Sequence, residues 1–207
     1  MLIKREDAAI SDDEWKTFLL SRDFGELIAG GRGRDVPVVV PTHFIYDGER
    51  TIRLHLALPN PAWEALAENP FALVSVYGDY AYVPTRWNAN PGAPVEYGVP
   101  TSYYAAVQAV VRCRTIDEPD GLAAILTAQL AHFQPEGGHA PVDPTGAYGK
   151  HFGAIRGIVA TIENVHAKFK YGGNKTVEHR RRIAEQLAER DTGQDRAARE
   201  HLLRRTP

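Results

Sequence analysis

The stretch Thr51-Ile52-Arg53-Leu54-His55-Leu56-Ala57-Leu58-Pro59-Asn60-Pro61-Ala62-Trp63 changes its period halfway along. Up to Leu58 the residues alternate, so that Ile52, Leu54, Leu56 and Leu58 share one face and Arg53, His55 and Ala57 the other. A period of two residues predicts a half-buried β-strand. Asn60-Pro61 then opens a helix, a capping side chain followed by proline at the first helical position. Trp63, Leu66 and Ala67 supply its apolar stripe, and it ends near Asn69-Pro70.

Working outward, residues 36–46 are rich in valine and read as the preceding strand, joined through Asp47-Gly48. Matching apolar faces across this hairpin pairs Val38, Val40, Thr42 and Phe44 with the leucine face. His43 then projects on the outer side with Arg53 and His55. This register demands a connection longer than a two-residue turn, or a bulge, because a one-residue slip turns a whole strand over. Phe24–Ala29 reads as an earlier strand stopped by Gly30, Gly31 and Gly33. Before it, Ser11-Asp12-Asp13-Glu14 has the Ser-x-x-Glu form of a capping box and precedes Trp15, Phe18 and Leu19, which predicts a first helix.

Downstream, Phe71–Val83 reads as a long strand interrupted at Gly78-Asp79, and Thr101–Ile116 as another, with a loop between them. Residues 118–133 are helical by the spacing of Leu122, Ile125, Leu126 and Leu130. The Gly/Pro-rich loop 134–148 is too long for a simple connector and is expected to act as a lid. Residues 157–171 read as the last strand, Thr176 caps a helix over Val177–Arg190, and residues 195–205 read as a short charged helix. Six or so strands with few helices predict a mainly β fold with flanking helices. Closing such a sheet into a small barrel removes its aggregation-prone edges.

At 207 residues, 43% of them hydrophobic, the chain supports one substantial core rather than two full domains. A net charge of -2 provides no overall basic field, so a nucleic-acid partner is not expected from the global balance. Cys113 is the sole cysteine, lies in an apolar strand pattern and reads as an inert core thiol. The sequence shows no leader and no long apolar run, which predicts no membrane partner and a soluble, reducing, cytoplasmic setting.

His55, Ala57, Asn60, Pro61 and Trp63 are followed in order by Ala81 and Tyr82, by Val99-Pro100-Thr101, and by Lys168, Lys170 and Asn174. This order resembles the PaiB-type branch of the FMN-binding split barrels, which have the pyridoxamine-phosphate-oxidase-like fold. The resemblance implies a split β-barrel over residues 1–190, a charged helical tail at 191–207, and a homodimer with FMN at the subunit boundary. With the strand-face reading, it makes His43, Arg53, His55, Asn60, Tyr82, Thr101, Lys168 and Lys170 the candidate cofactor contacts. The chain departs from the family pattern in four places. Leu58 stands where arginine is usual, Ser102-Tyr103 where Trp-Asn is, Gln108 replaces a histidine, and Gly172-Gly173 replaces Ser-Gln. An arginine lost near a phosphate removes a charge-assisted grip worth about 1.5–3 kcal/mol. Arg53, Lys168 and Lys170 are the replacement cations.

The resemblance implies a flavin-dependent oxidoreductase acting on a small molecule, the cofactor carrying the chemistry. It also admits an FMN-binding negative transcriptional regulator without turnover. A variant keeps the barrel and binds haem through His55 or His43. Tyr80, Tyr82, Tyr103 and Tyr104 read as packing residues. His132, Glu136, His139 and His151 lack the spacing of a metal site and read as lid or surface groups. The run His179-Arg180-Arg181-Arg182 reads as the solvated face of an amphipathic helix, with DNA contact as its alternative.

Overall fold

The computed structural model describes residues 1–205, which fall into two compact units. One contains Met1–Trp15, Tyr77–Val107 and the chain from Ala167 onward. The other contains Lys16–Val76 and Gln108–His166.

The second unit holds β1 (Phe24–Ala29), β2 (Val38–His43), β3 (Ile45–Tyr46) and β4 (Thr51–Ala57). It also holds one portion each of the long strands β5 (Phe71–Val83), β6 (Thr101–Ile116) and β7 (Ile155–Lys170). The strand order is β2-β1-β5-β6-β7-β4-β3. Its two ends, β2 and β3, are consecutive in the chain with Phe44 alone between them, so the backbone itself joins the two edges and closes the sheet. The pairs β1–β2, β1–β5, β3–β4 and β4–β7 are antiparallel. Leu27, Phe44, Ile52, Leu54, Val74, Val111 and Ile158 are buried.

This closure corrects the expected hairpin. Residues 36–46 do not lie as one strand along β4. Val38–His43 pairs with β1, Val40 opposite Leu27 and His43 opposite Phe24, while Ile45 and Tyr46 pair with β4. A closed sheet needs a corner where one strand changes partner, and Phe44 is that corner. The expected parity survives the change. Ile45 opposite Arg53 and Tyr46 opposite Ile52 continue to His43 opposite His55, so the two histidines share a side. The connection is longer than two residues, as the register required. Asp47 N–H donates to the Thr51 carbonyl at 3.0 Å, which leaves a three-residue loop in which Gly48 takes φ 85°. Asp47 Oδ1 accepts from the backbone N–H groups of Glu49, Arg50 and Thr51, which holds its carboxyl below the ordinary value although burial pushes the other way.

Two helices of this unit bear on function: α4 (Pro119–Phe133) and the short α5 (Gly149–Phe152). α2 (Ala62–Glu68) opens as its sequence predicts, Asn60 Oδ1 accepting from the Ala62 N–H at 2.9 Å. Cys113 is buried, and burial pushes its thiol up to about 12, so it is inert at neutral pH.

The first unit holds the other portions of β5, β6 and β7 with α3 (Thr85–Asn88), α6 (Val177–Arg190) and α7 (Asp195–Arg204). Thr176 caps α6 by accepting from the His179 N–H. β5 runs unbroken through Gly78-Asp79, Asp79 adopting φ 52°. The strained residue is held by the Tyr171 hydroxyl, which donates to its carbonyl at 3.0 Å, and by His201, whose Nε2 lies 2.8 Å from its carboxylate. His201 and Leu202 are buried, so α7 contributes to the core of this unit. Residues 206 and 207, the end of the expected tail, lie outside the described residues.

The run 179–182 is a solvated face only in part, since Arg181 and Arg182 are exposed. His179 and Arg180 are buried, Arg180 Nη1 donates to the Lys175 carbonyl at 2.6 Å, and Arg182 Nη2 donates to the Ala89 carbonyl at 3.0 Å. A helix amphipathic by sequence has turned two guanidinium groups to loop carbonyls. Among the described residues no helix is long and apolar enough to cross a membrane.

Candidate functional site

Two concavities, one in each unit, gather four of the eight predicted residues. In the second unit α4 presents Leu126, Gln129, Leu130 and Phe133, one face at helical spacing, to a cavity of about 580 Å³. Val142 and Tyr148 of the loop 134–148, with His151 and Phe152 of α5, complete its apolar walls. His43 and His55 stand at its polar end with ring centroids 5.2 Å apart at 70°. His55 Nδ1 lies 2.6 Å from Gln129 Oε1. An amide oxygen only accepts, so Nδ1 carries the hydrogen and Nε2 of the neutral ring is the acceptor. Burial, and then the proximity of His55, hold His43 below its usual value. Gln129 is 4% exposed, and its Nε2 has no hydrogen-bond partner among the described residues.

In the first unit a polar cleft of about 310 Å³ is lined by Lys4, Lys170 and Lys175, with Thr101, Tyr103 and Asn88. Lys170 Nζ donates to Thr101 Oγ1 at 2.8 Å. Tyr103 is 2% exposed, and burial pushes its phenol up to about 12, so the hydroxyl remains a donor. That hydroxyl and Asn88 Oδ1 are buried without partners among the described residues. Glu6 and Asp7 also line the cleft. Three lysines exceed these two carboxylates, and burial raises the Asp7 carboxyl despite the opposing pull of Lys168. The cleft suits an anion with several oxygens, because lysines and a neutral phenol all donate to it.

The structure thus brings Thr101 to Lys170, and His43 to His55. The other candidates stand apart. Arg53 lines a third concavity with Arg114 and Glu118. Lys168 is 9% exposed, its ammonium 2.9 Å from the Leu2 carbonyl and 3.9 Å from the Asp7 carboxylate. It fixes the segment that carries Lys4, Glu6 and Asp7 to the cleft. Asn60 caps α2, and Tyr82 is 47% exposed, its carbonyl accepting from Arg190. Leu58, where arginine was expected, is 43% exposed.

Sequence reasoning did not single out Lys4, Lys175, Asn88 or Gln129 for a site. No local spacing marks the first three, which come from three separate segments. Gln129 was visible as a polar residue in the register of Leu122, Ile125 and Leu126. Two departures from the family pattern prove physically linked. A Cβ at Gly172 would stand 2.6 Å from the Tyr103 hydroxyl, so a tyrosine at 103 requires glycine at 172.

Residues 1–164 match the family described as "Putative FMN-binding domain". No curated protein matches the chain. Among solved structures it is similar to the FAD and haem binding protein of Mycobacterium smegmatis, at 19% identity over 83% of this chain and 77% of that one, TM-score 0.61. It is also similar to a flavocytochrome of Azotobacter vinelandii, at 18% identity over 78% and 69%, TM-score 0.58. A conserved hypothetical protein of Mycobacterium tuberculosis aligns at 12% identity over 84% and 92%, TM-score 0.56. At these identities the likeness is one of fold. With the closed seven-stranded sheet, it establishes a mainly β split barrel with flanking helices.

Proposed function

We propose that this chain, which belongs to the FMN-binding domain family, is a flavin-dependent oxidoreductase of the PaiB-type branch acting on a small molecule. The observation that carries the proposal is the polar cleft of the first unit, where Lys4, Lys170 and Lys175 surround the unpartnered Tyr103 hydroxyl. These groups fit the phosphate of FMN, and they replace the grip that Leu58 cannot give. When bound, the flavin supplies hydride or electron transfer, so no protein nucleophile is required. Lys170 and Lys175 bind the anion, Thr101 orients Lys170 through their hydrogen bond, and Lys168 holds the N-terminal wall in place.

Lys170→Ala is expected to weaken FMN affinity about tenfold or more, the loss of one charge-assisted hydrogen bond, in a fluorescence-quenching titration. Lys168→Ala is expected to lower thermal stability more than affinity. Unchanged affinity in Lys170→Ala retires the cleft as the phosphate site.

A second reading, haem in place of flavin, draws its support from the paired imidazoles of His43 and His55 beside an apolar cavity. The regulator reading draws little from the run 179–182, because Arg180 and Arg182 are bonded to backbone carbonyls. A homodimer is part of the proposal. Tyr77, Tyr97 and Val99 of the first unit are each at least 70% exposed, as befits residues covered on association.

A further inference from the structure

The cavity of the second unit has a composition that flavin phosphate does not explain. Lysine, arginine, aspartate and glutamate are all absent from its lining, and three aromatic side chains, Phe133, Tyr148 and Phe152, form its walls. A volume of about 580 Å³ lies within the range of small-molecule sites, roughly 300–1,000 Å³. At the polar end one donor and one acceptor are left over. Gln129 Nε2 is buried without a partner, and His55 Nε2 is the acceptor nitrogen once Nδ1 donates to Gln129 Oε1.

We propose that this cavity is a binding site for a neutral aromatic alcohol, a phenol or naphthol, whose ring lies among Phe133, Tyr148 and Phe152. Its hydroxyl hydrogen is donated to His55 Nε2. A hydroxyl supplies the hydrogen that His55 Nε2 accepts, whereas a ketone or an ether supplies none. The ring meets flat aromatic surfaces that give aromatic pairs their preferred edge-to-face or offset contacts. His43 already shows that geometry, with its ring edge-to-face to Phe133 at 5.2 Å. A porphyrin fits less well. Its carboxylates would find no cation among the lining residues. The inference stands independently of the flavin proposal, because every residue it uses belongs to the second unit.

The test uses the full chain as purified, titrated by calorimetry with 2-naphthol and with its isostere 2-methylnaphthalene. The expected result is that 2-naphthol binds at least tenfold more tightly. His55→Phe, which removes the acceptor, should erase that preference, and Leu130→Trp, which fills the cavity, should weaken both at least tenfold. Gln129→Leu removes the group that holds the hydrogen on His55 Nδ1 and is the second variant, expected to reduce the same preference. Equal affinity of the two probes for the unsubstituted protein overturns the proposal, as does 2-naphthol binding that Leu130→Trp leaves intact. A Soret band formed with added haemin and lost in His55→Ala assigns the cavity to porphyrin instead and also overturns it. The flavin spectrum of the same sample is read separately, so a failure of either proposal is told apart from a failure of the other.

Discussion

Gly172 and Tyr103 show how one residue's identity fixes another's. Gly172 takes φ 66° and leaves no room for a Cβ beside the Tyr103 hydroxyl. Gly172→Ser is therefore expected to destabilise the protein by about 1–3 kcal/mol, part from left-handed backbone strain and part from the overlap. Tyr103→Asn should recover the second part, so the double variant should melt above the Gly172→Ser single variant. Equal melting of the two would show that the overlap contributes nothing. His43 and His55 were legible as neighbours because strand parity fixes which side a residue faces. Lys4 and Lys175 were not, since proximity across distant segments leaves no trace in local pattern. Lys168 was legible as a cation on the right strand, and its engagement with the Leu2 carbonyl was not.

At the scale of elements, period and capping carried far. β4, α2, α4 and α6 lie where alternation, Asn60-Pro61, the leucine spacing and Thr176 place them. The error came at residues 36–46, where apolar content identified a strand but could not show that it changes partner at Phe44. Local sequence sets which face is buried, while closure of the sheet sets which neighbour buries it. The short α3 and α5 also went unread, being single turns inside loops. The connection from α6 to α7 permits a sharper test. Arg190 grips Asp195 through two hydrogen bonds, 2.7 Å from Nε and 2.5 Å from Nη2, and the carboxylate is 3% exposed. Burial alone would raise that carboxyl, yet the bonds from Arg190 and the Thr192 N–H outweigh it and hold it below its ordinary value. A carboxyl lowered in the folded state stabilises above its unfolded pKa and ceases to do so as pH falls through the folded value. Asp195→Asn should therefore cost about 1.5–3 kcal/mol at pH 7 in urea denaturation. The difference should shrink once pH drops below the ordinary carboxylate range. A gap that persists unchanged in acid would mean that packing, not charge, holds α7.

For the molecule as a whole, the closed sheet was readable from strand count, and its closure is visible in the order β2-β1-β5-β6-β7-β4-β3. The family follows from the match over residues 1–164, whereas the proposed activity rests on the cleft around Lys170. The proposed homodimer predicts a solution mass near twice 22.9 kDa by light scattering, and a mass of one chain would contradict it. The central claim is that this protein holds a flavin, and the visible absorption spectrum of the purified protein after reconstitution with FMN and gel filtration tests it most directly. The account predicts flavin bands that coelute with the protein and diminish in Lys170→Ala. A colourless protein that retains no FMN, or one that shows a Soret band instead, would contradict it.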